Sequence, residues 1–332
     1  MISSKDVAKL AGVSQATVSR VLNNAKSVKP ETRKKVLQAM ETLRYQPNLI
    51  ARSLVTNSTK TIALISGTLK NGFFVETTDS IINLATKHGY KTMVYFEGEA
   101  KLKDIVNTVM GNKVDGILMS SILLDDPLFH EIEQSGIPYM FFNRRPRNGG
   151  NYVVLDNTRA GEMITKHLLD LGHERIAYIT GEPTISTFLE RETGFKKAME
   201  EAGIEIDPQL VFVTNTTSAE VEKITWRLMN LDEPPTAIIC ATDTMALACM
   251  DTIMSMGLSI PDDVSLVGID DIKISSHRAI QLTSIGHHKF KMGEIAAENL
   301  IEMIQQGERP KQLRQIVLQP ELIVRKTTAR RK

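Results

Sequence analysis

Residues 6–23, DVAKLAGVSQATVSRVLN, leave a chain few ways to fold. Val7, Leu10 and Ala11 recur at i, i+3 and i+4, the period of one helix face. Gly12 follows, where a residue without Cβ enters the left-handed region freely. Ser14 is placed to cap a second helix by accepting from an exposed backbone N–H. Val18, Val21 and Leu22 form the second apolar stripe. At roughly 100° per residue, the opposite face carries Ala16, Arg20 and Asn23, with Ser19 on its flank and Gln15 and Thr17 at its start. A helix that is apolar inward and small or hydrogen-bonding outward suits the major groove of DNA.

Charge agrees with that reading. Residues 1–60 hold eleven Lys/Arg against three Asp/Glu, a net of +8, while the whole chain is +1. The remaining residues therefore carry −7. A basic head on an acidic body points to phosphate, because Lys and Arg displace its counterions. Spacing alone leaves a second reading open, a small three-helix core with a solvated basic face.

The segments KDVAKLAGVSQATVSRVLN and VKPETRKKVLQAMETLRYQPNLIARSL resemble the DNA-binding headpiece of the lactose-repressor/galactose-repressor (LacI/GalR) family of bacterial transcription regulators. A third helix is expected from Pro30, favoured at a first helical position because it has no N–H to leave unpaired. Val36, Leu37, Met40 and Leu43 would form its apolar face. Lys29 stands where the family usually has a Ser-like cap, so it either weakens this helix start or reaches a phosphate. Residues 48–56 are too few for a stable free helix, for which about twelve to fifteen are marginal. Alone they read as a linker. The resemblance implies the family's hinge helix, ordered only on DNA, with Leu54 as a minor-groove wedge and Arg52 beside it.

From Thr61 the pattern changes. TIALIS, KTMVYF, DGILMS, IPYMFF, NYVVLD, RIAYITG, TAIICAT and DVSLVGID are short apolar runs. Helical segments separate most of them, one around Ile81, Ile82 and Ala85, then 101–112, 127–135, 158–171, 188–202, 218–231, 244–257 and 290–306. Alternating strands and helices imply parallel sheets with helices on both faces. The body is too long for one such sheet, so two α/β lobes with a cleft are expected. Further stretches, among them DNTRAGEMITKHLLDLGHERIAYITG, ERETGFKKAMEEAG and SIPDDVSLVGIDD, resemble the family's sensor body, itself similar to periplasmic sugar-binding proteins. The expected division is 1–46 for an all-α helix-turn-helix headpiece, 47–60 for hinge and linker, and 61–332 for an effector-binding, dimer-forming α/β body.

Carried over position by position, the resemblance implies that Arg191, Asp270 and Asp243 belong to an effector cleft. Phe73, in the loop after the first body strand, would cover a ligand face. Arg191 can grip two oxygens of a sugar or carboxylate with its planar fork. Each residue also has an ordinary reading: Asp243 as a helix cap, Asp270 as a turn residue, Phe73 as core. Asn143 stands where many relatives have Asp, and Arg144 and Arg145 follow it, with Lys70 on another loop. A cationic cleft would favour a sugar acid or sugar phosphate; the preferred alternative is a solvated arginine pair.

Several chemistries have no support. His287 and His288 are adjacent and share no helix face, and no HxxxH or HExxH occurs, so no metal is expected. His173 reads as a structural turn residue. There is no GxGxxG, P-loop or GxSxG, so neither cofactor nor catalytic residues are assigned. Cys240 and Cys249 lie in apolar segments and read as buried, reduced thiols. The N-terminus lacks an export-signal pattern and no apolar run is membrane-spanning, so a cytoplasmic protein without a membrane partner is expected. The tail LQPELIVRKTTARRK has no leucine heptads, which suggests a homodimer. The expected function is a transcription regulator, a repressor of a carbohydrate catabolic operon. It would bind double-stranded operator DNA under control of a small effector. A sugar-modifying enzyme or a solute-binding protein without DNA function is the alternative.

Overall fold

A computed structural model describes residues 2–22, 25, 27–46, 58–96, 101–286, 289–307 and 312–331. The chain divides into two compact units, residues 1–59 and 60–332. Expectations for Asn23, Arg52, Leu54 and the rest of the 48–56 segment lie outside the described residues.

The described residues of the first unit form three helices: α1 (Ser4–Ala11), α2 (Gln15–Leu22) and α3 (Pro30–Thr42). Asp6 accepts from both the backbone N–H and the hydroxyl of Ser3, at 2.8 Å each, which starts α1. Gly12 ends it at φ 64°. Ser14 Oγ then accepts from Thr17 N at 3.2 Å, the cap its position promised. Val7, Ala8, Val18, Val21, Val36 and Ala39 are buried together. Fully burying a side chain of Val size contributes about 1.5–3 kcal/mol, so four valines with two alanines carry a small core. Two positions differ from the periodic reading. Leu10 and Leu37 are about half exposed, because α1 and α3 turn Ala8 and Ala39 inward, where small side chains let the helices approach closely.

The second unit is two α/β lobes. In the N-lobe, β1 (Thr61–Ser66), β2 (Lys91–Phe96), β3 (Gly116–Met119), β4 (Tyr139–Phe142), β5 (Tyr152–Leu155) and the late strand β11 (Gln315–Leu318) form one sheet in the order β11-β5-β4-β3-β1-β2. Every pairing in it is parallel. Alternation decides which face each side chain serves. Ile62 and Leu64 join Ile81 of α4 (Gly72–Lys87) and Leu300 of α11 (Lys289–Gln306). Ala63 and Ile65 join Val106 of α5 (Leu102–Gly111) and Ile132 of α6 (Leu128–Gln134). A Cβ on Gly116 would come within 2.8 Å of Ile304, so glycine lets α11 lie directly on β3.

The C-lobe repeats this plan. Its strands are β6 (Ile176–Thr180), β7 (Val211–Val213), β8 (Ala237–Cys240), β9 (Ser265–Ile269), β10 (Thr283–Gly286) and β12 (Glu321–Ile323), ordered β12-β10-β9-β8-β6-β7. Only the β10–β12 pair is antiparallel. Helices α7 (Asn157–Asp170), α8 (Ser186–Glu201), α9 (Ser218–Met229) and α10 (Asp243–Ser255) cover it. The chain passes between lobes three times: after β5, after β10, and between β11 and β12. No helix among the described residues is long and apolar enough to cross a membrane.

Candidate functional site

The outward face of α2 is the first candidate. Ser14, Gln15, Ala16, Ser19 and Arg20 are exposed, and Thr17 is half-buried. Gln15 also donates from Nε2 to Ser4 Oγ at 2.9 Å, which ties the start of α2 to α1. Lys29 is exposed ahead of Pro30 and makes no side-chain cap. Arg33, in the basic run that follows, donates to Ala25 O at 3.1 Å. The polar face thus stands clear of the core, on a helix positioned by both its neighbours.

The second candidate lies where the two lobes meet. In an open parallel sheet, ligands bind beyond the carboxyl ends of the strands. The loops leaving those ends make the lobe-to-lobe contacts. Leu124 N donates to Thr184 O at 2.9 Å. Arg145 N donates to Ser186 Oγ at 3.0 Å, and Thr187 Oγ1 to Asn143 O at 2.7 Å. On the other flank, Thr244 Oγ1 donates to Asn71 Oδ1 at 3.1 Å and Lys273 N to Glu76 Oε1 at 2.9 Å.

Arg191 is the centre of this region. It is 1% exposed, and each of its guanidinium nitrogens donates one hydrogen bond. Nε donates to Asn157 Oδ1 at 3.0 Å, Nη2 to Asp270 Oδ1 at 2.9 Å, and Nη1 to the Ala241 carbonyl. The helices that hold it cross at two glycines. A Cβ on Gly161 of α7 would land on the Arg191 carbonyl, and one on Gly194 of α8 on the Thr158 carbonyl. Behind them Phe195 stacks on Tyr178 at 4.6 Å. Asp270 sits at φ 128° and Asp271 at φ 48°. Such conformations cost about 1–3 kcal/mol and persist only where surroundings impose them. Here the ion pair to Arg191 and a second one, Arg325 to Asp271 at 2.5 Å, impose them.

Asp243 is neither a cap nor exposed to the cleft. It is the first residue of α10, capped by Thr242, and is 0% exposed. Its carboxylate accepts from Ser284 Oγ at 2.6 Å, Ser275 Oγ at 2.6 Å and Ile272 N at 3.0 Å. Burial first, then the charge of Asp270, pushes its carboxyl up to about 7, against three hydrogen bonds that favour the anion. Its place is behind the 270–276 segment, holding it.

Phe73 requires a correction. It lies not in a loop but in the first turn of α4, where Asn71 Oδ1 accepts from its N–H at 3.0 Å. It is 2% exposed and meets Phe74 edge-on at 5.3 Å. Asn71 supplies the helix start that the loop reading missed. Arg144 is half-buried, its N–H donating to Phe142 O at 2.7 Å. Arg145 is half-buried and paired: Nη2 meets Glu190 Oε1 at 2.5 Å and the guanidinium lies 5.8 Å from the Tyr152 ring. Asn157 and Glu190 were not singled out from the sequence. Their neighbours in the site are over thirty positions away along the chain, and no local pattern carries such a pairing.

Beside the Thr244–Asn71 contact, a groove of about 470 Å³ runs between α9, α10, the loop after β1 with the start of α4, and the 270–276 segment, lined by Lys70, Leu247, Asp251 and Ile274 among others. Exposed Leu69, Val75, Met254 and Ile274 belong to the same elements. His173 is buried, bonded through Nδ1 to Thr236 Oγ1 at 3.0 Å and through Nε2 to Ala329 O at 2.9 Å, which bears out its structural reading. Cys240 and Cys249 are buried and free. Among the described residues no cluster of three or more His, Cys, Asp or Glu could hold a metal.

Residues 4–48 match the family model for bacterial regulatory proteins of the lacI family, and residues 165–328 the model for a periplasmic binding protein-like domain. The chain is 33% identical over 331 residues to the HTH-type transcriptional repressor PurR of Aliivibrio salmonicida (strain LFI1238), covering 98% of this chain and 99% of that protein. It is 34% identical over 331 residues to the PurR repressor of Vibrio parahaemolyticus serotype O3:K6 (strain RIMD 2210633), covering 98% of each. Among solved structures, the lac repressor dimer bound to operator and the anti-inducer ONPF matches with TM-score 0.85 at 27% identity, over 99% of both chains. The transcriptional regulator CelR–cellobiose complex matches with TM-score 0.73 at 29% identity, over 98% of this chain and 100% of that one.

Proposed function

The chain belongs to the LacI family of bacterial regulatory proteins, and from that premise we propose that it represses a carbohydrate catabolic operon in response to an effector held between its lobes. It is a DNA-binding transcription regulator and not an enzyme. One observation carries the reading: a polar, exposed α2 face on a basic unit, followed in the same chain by the buried Arg191–Asp270 centre between two lobes.

Gln15, Ala16 and Arg20 read base edges, while Ser14, Thr17, Ser19 and Lys29 hold the phosphate backbone, where contacts position but do not specify. The headpiece comprises residues 1–46 and the effector body 61–332, with 47–60 between them. The protein works in the cytoplasm. Two copies pair along the face that carries Leu69, Val75, Met254 and Ile274, so that two headpieces read a near-palindromic site. Arg191 and Asp270 contact the effector, Arg144 lies at the cleft margin, and Asp243 and Phe73 support the site from behind. The cellobiose-bound relative supports a carbohydrate class of effector. Effector and operator affinities are then reciprocally coupled.

Arg20→Ala tests the DNA assignment. Selection from random duplexes supplies the preferred site. The variant should lose about 1–3 kcal/mol on that site and little on scrambled DNA. Equal weakening on both would remove Arg20 from the base-reading set. For the cleft, a panel of neutral carbohydrates is screened by thermal shift and bound members are mapped by hydrogen exchange. Protection confined to surfaces away from Arg191 and Asp270 would refute the site.

A further inference from the structure

Two arginine–carboxylate pairs are joined in one line. Arg145 of the N-lobe pairs with Glu190 of α8 at 2.5 Å. The other oxygen of Glu190 faces Asn157 Nδ2 at 3.4 Å. Asn157 Oδ1 accepts from Arg191, which pairs with Asp270. The two ion pairs differ in access. The Arg191 and Asp270 side chains are 1% and 5% exposed, whereas those of Arg145 and Glu190 are 30% and 19% exposed. An anion entering from solvent meets the outer pair.

Arg145 is prepared for such an anion. Its backbone N–H is anchored on Ser186, and its guanidinium lies against the Tyr152 ring. A fixed guanidinium fork beside an amide donor is the arrangement that receives a carboxylate or phosphoryl group. The Glu190 carboxylate fills that position. We infer that Glu190 is a resident anion that sets the charge class of the effector, reserving the cleft for an uncharged ligand. The inference rests on the cleft being the effector site. An anionic ligand must expel a partly buried carboxylate from its guanidinium, which leaves a charge without its counterion. A ligand that offers only hydroxyl groups faces no such exchange. Glu190 thus selects by exclusion, in the way that specificity is built against a competitor.

Full-length, DNA-free protein is titrated with inorganic phosphate against chloride at equal ionic strength. Hydrogen exchange is followed in peptides covering residues 143–147 and 184–192, so binding at the basic headpiece does not enter the signal. The wild type should show no saturable slowing in these peptides. Glu190→Ala should gain it, and adding Arg145→Ala should abolish it again. Glu190→Gln keeps the side chain's volume and serves if the alanine variant fails to fold. Saturable slowing in the wild type overturns the inference, as does its absence from both Glu190 variants. Failure of the cleft reading is distinguishable: carbohydrate protection would then map elsewhere while the phosphate response of the variants stood.

Discussion

A side chain on Gly161 or Gly194 has nowhere to go, since each glycine faces the backbone of the opposite helix rather than a movable side chain. Gly161→Ala should therefore destabilise the body by about 1–3 kcal/mol, the usual cost of overpacking, read as a lower urea midpoint at unchanged slope. Because the obstruction is the carbonyl of Arg191 itself, the same change should displace the guanidinium and weaken effector binding. Asp243 gives a second prediction. Its folded-state pKa is raised from 3.8 to about 7, so between these values the native state binds more protons than the unfolded chain. This group's contribution to stability then falls as pH rises from about 4 to 7, by up to about 1.4 kcal/mol per pH unit, and is level above. Asp243→Asn should start less stable, since an amide has one acceptor oxygen for three donors. It should also lack this pH component in denaturant unfolding across pH 4–8. An unchanged pH profile in the variant would contradict the assignment.

At the scale of elements, the C-terminal segment after β12 acts as a strap on the C-lobe. Leu266 N donates to Thr327 O, Thr283 N to Thr327 Oγ1, and Arg331 N to Leu171 O. His167 meets Thr328 Oγ1 at 3.0 Å and His173 meets Ala329 O. Burial holds both imidazoles below their ordinary 6.5. A depressed histidine pKa means that the unfolded chain takes up the proton first. The associated stability is present above pH 6.5 and is lost as pH falls through and below that value. In imidazole proton spectra both residues should titrate below 6.5, and a stop after Lys326 should return both towards it. Four strands escaped sequence reading: β10, a buried interior strand of only four residues, and three others of one kind. β7, β11 and β12 have only three or four residues each and lie at sheet edges. Their burial is partial, intermediate at best in β11 and β12, and their apolar runs, VFV, IVL and LI, are too short to mark a strand. They are strands because an interior strand offers them hydrogen bonds.

For the whole molecule, the exposed apolar side chains of α10 and the 270–276 segment bear on assembly. Ile274 is 46% exposed and Met254 63%. Ile274→Glu should leave the fold of each protomer intact by circular dichroism, as surface substitutions do. It should yield a monomer by light scattering, with weaker operator binding. A dimer that survives this change would place the interface elsewhere.

The sequence by itself determined the three-helix unit, its turn at Gly12 and cap at Ser14, the charge division, and the succession of buried strands and helices. All of these arise from contacts a few residues apart, where helical and strand periods are written directly. It also carried Arg191 and Asp270 as members of one site, through resemblance. Tertiary structure alone decided that Leu10 and Leu37 face outward while Ala8 and Ala39 are buried. It decided that Phe73 is core, and that Asp243 braces the loop beyond Asp270. It also joined Arg145, Glu190, Asn157 and Arg191 into one chain of hydrogen bonds. Those outcomes depend on which surfaces three crossings of the chain bring together. Hydrogen bonds and close packing reach only a few ångströms, so partners distant in sequence are chosen by the fold rather than by any pattern in the chain.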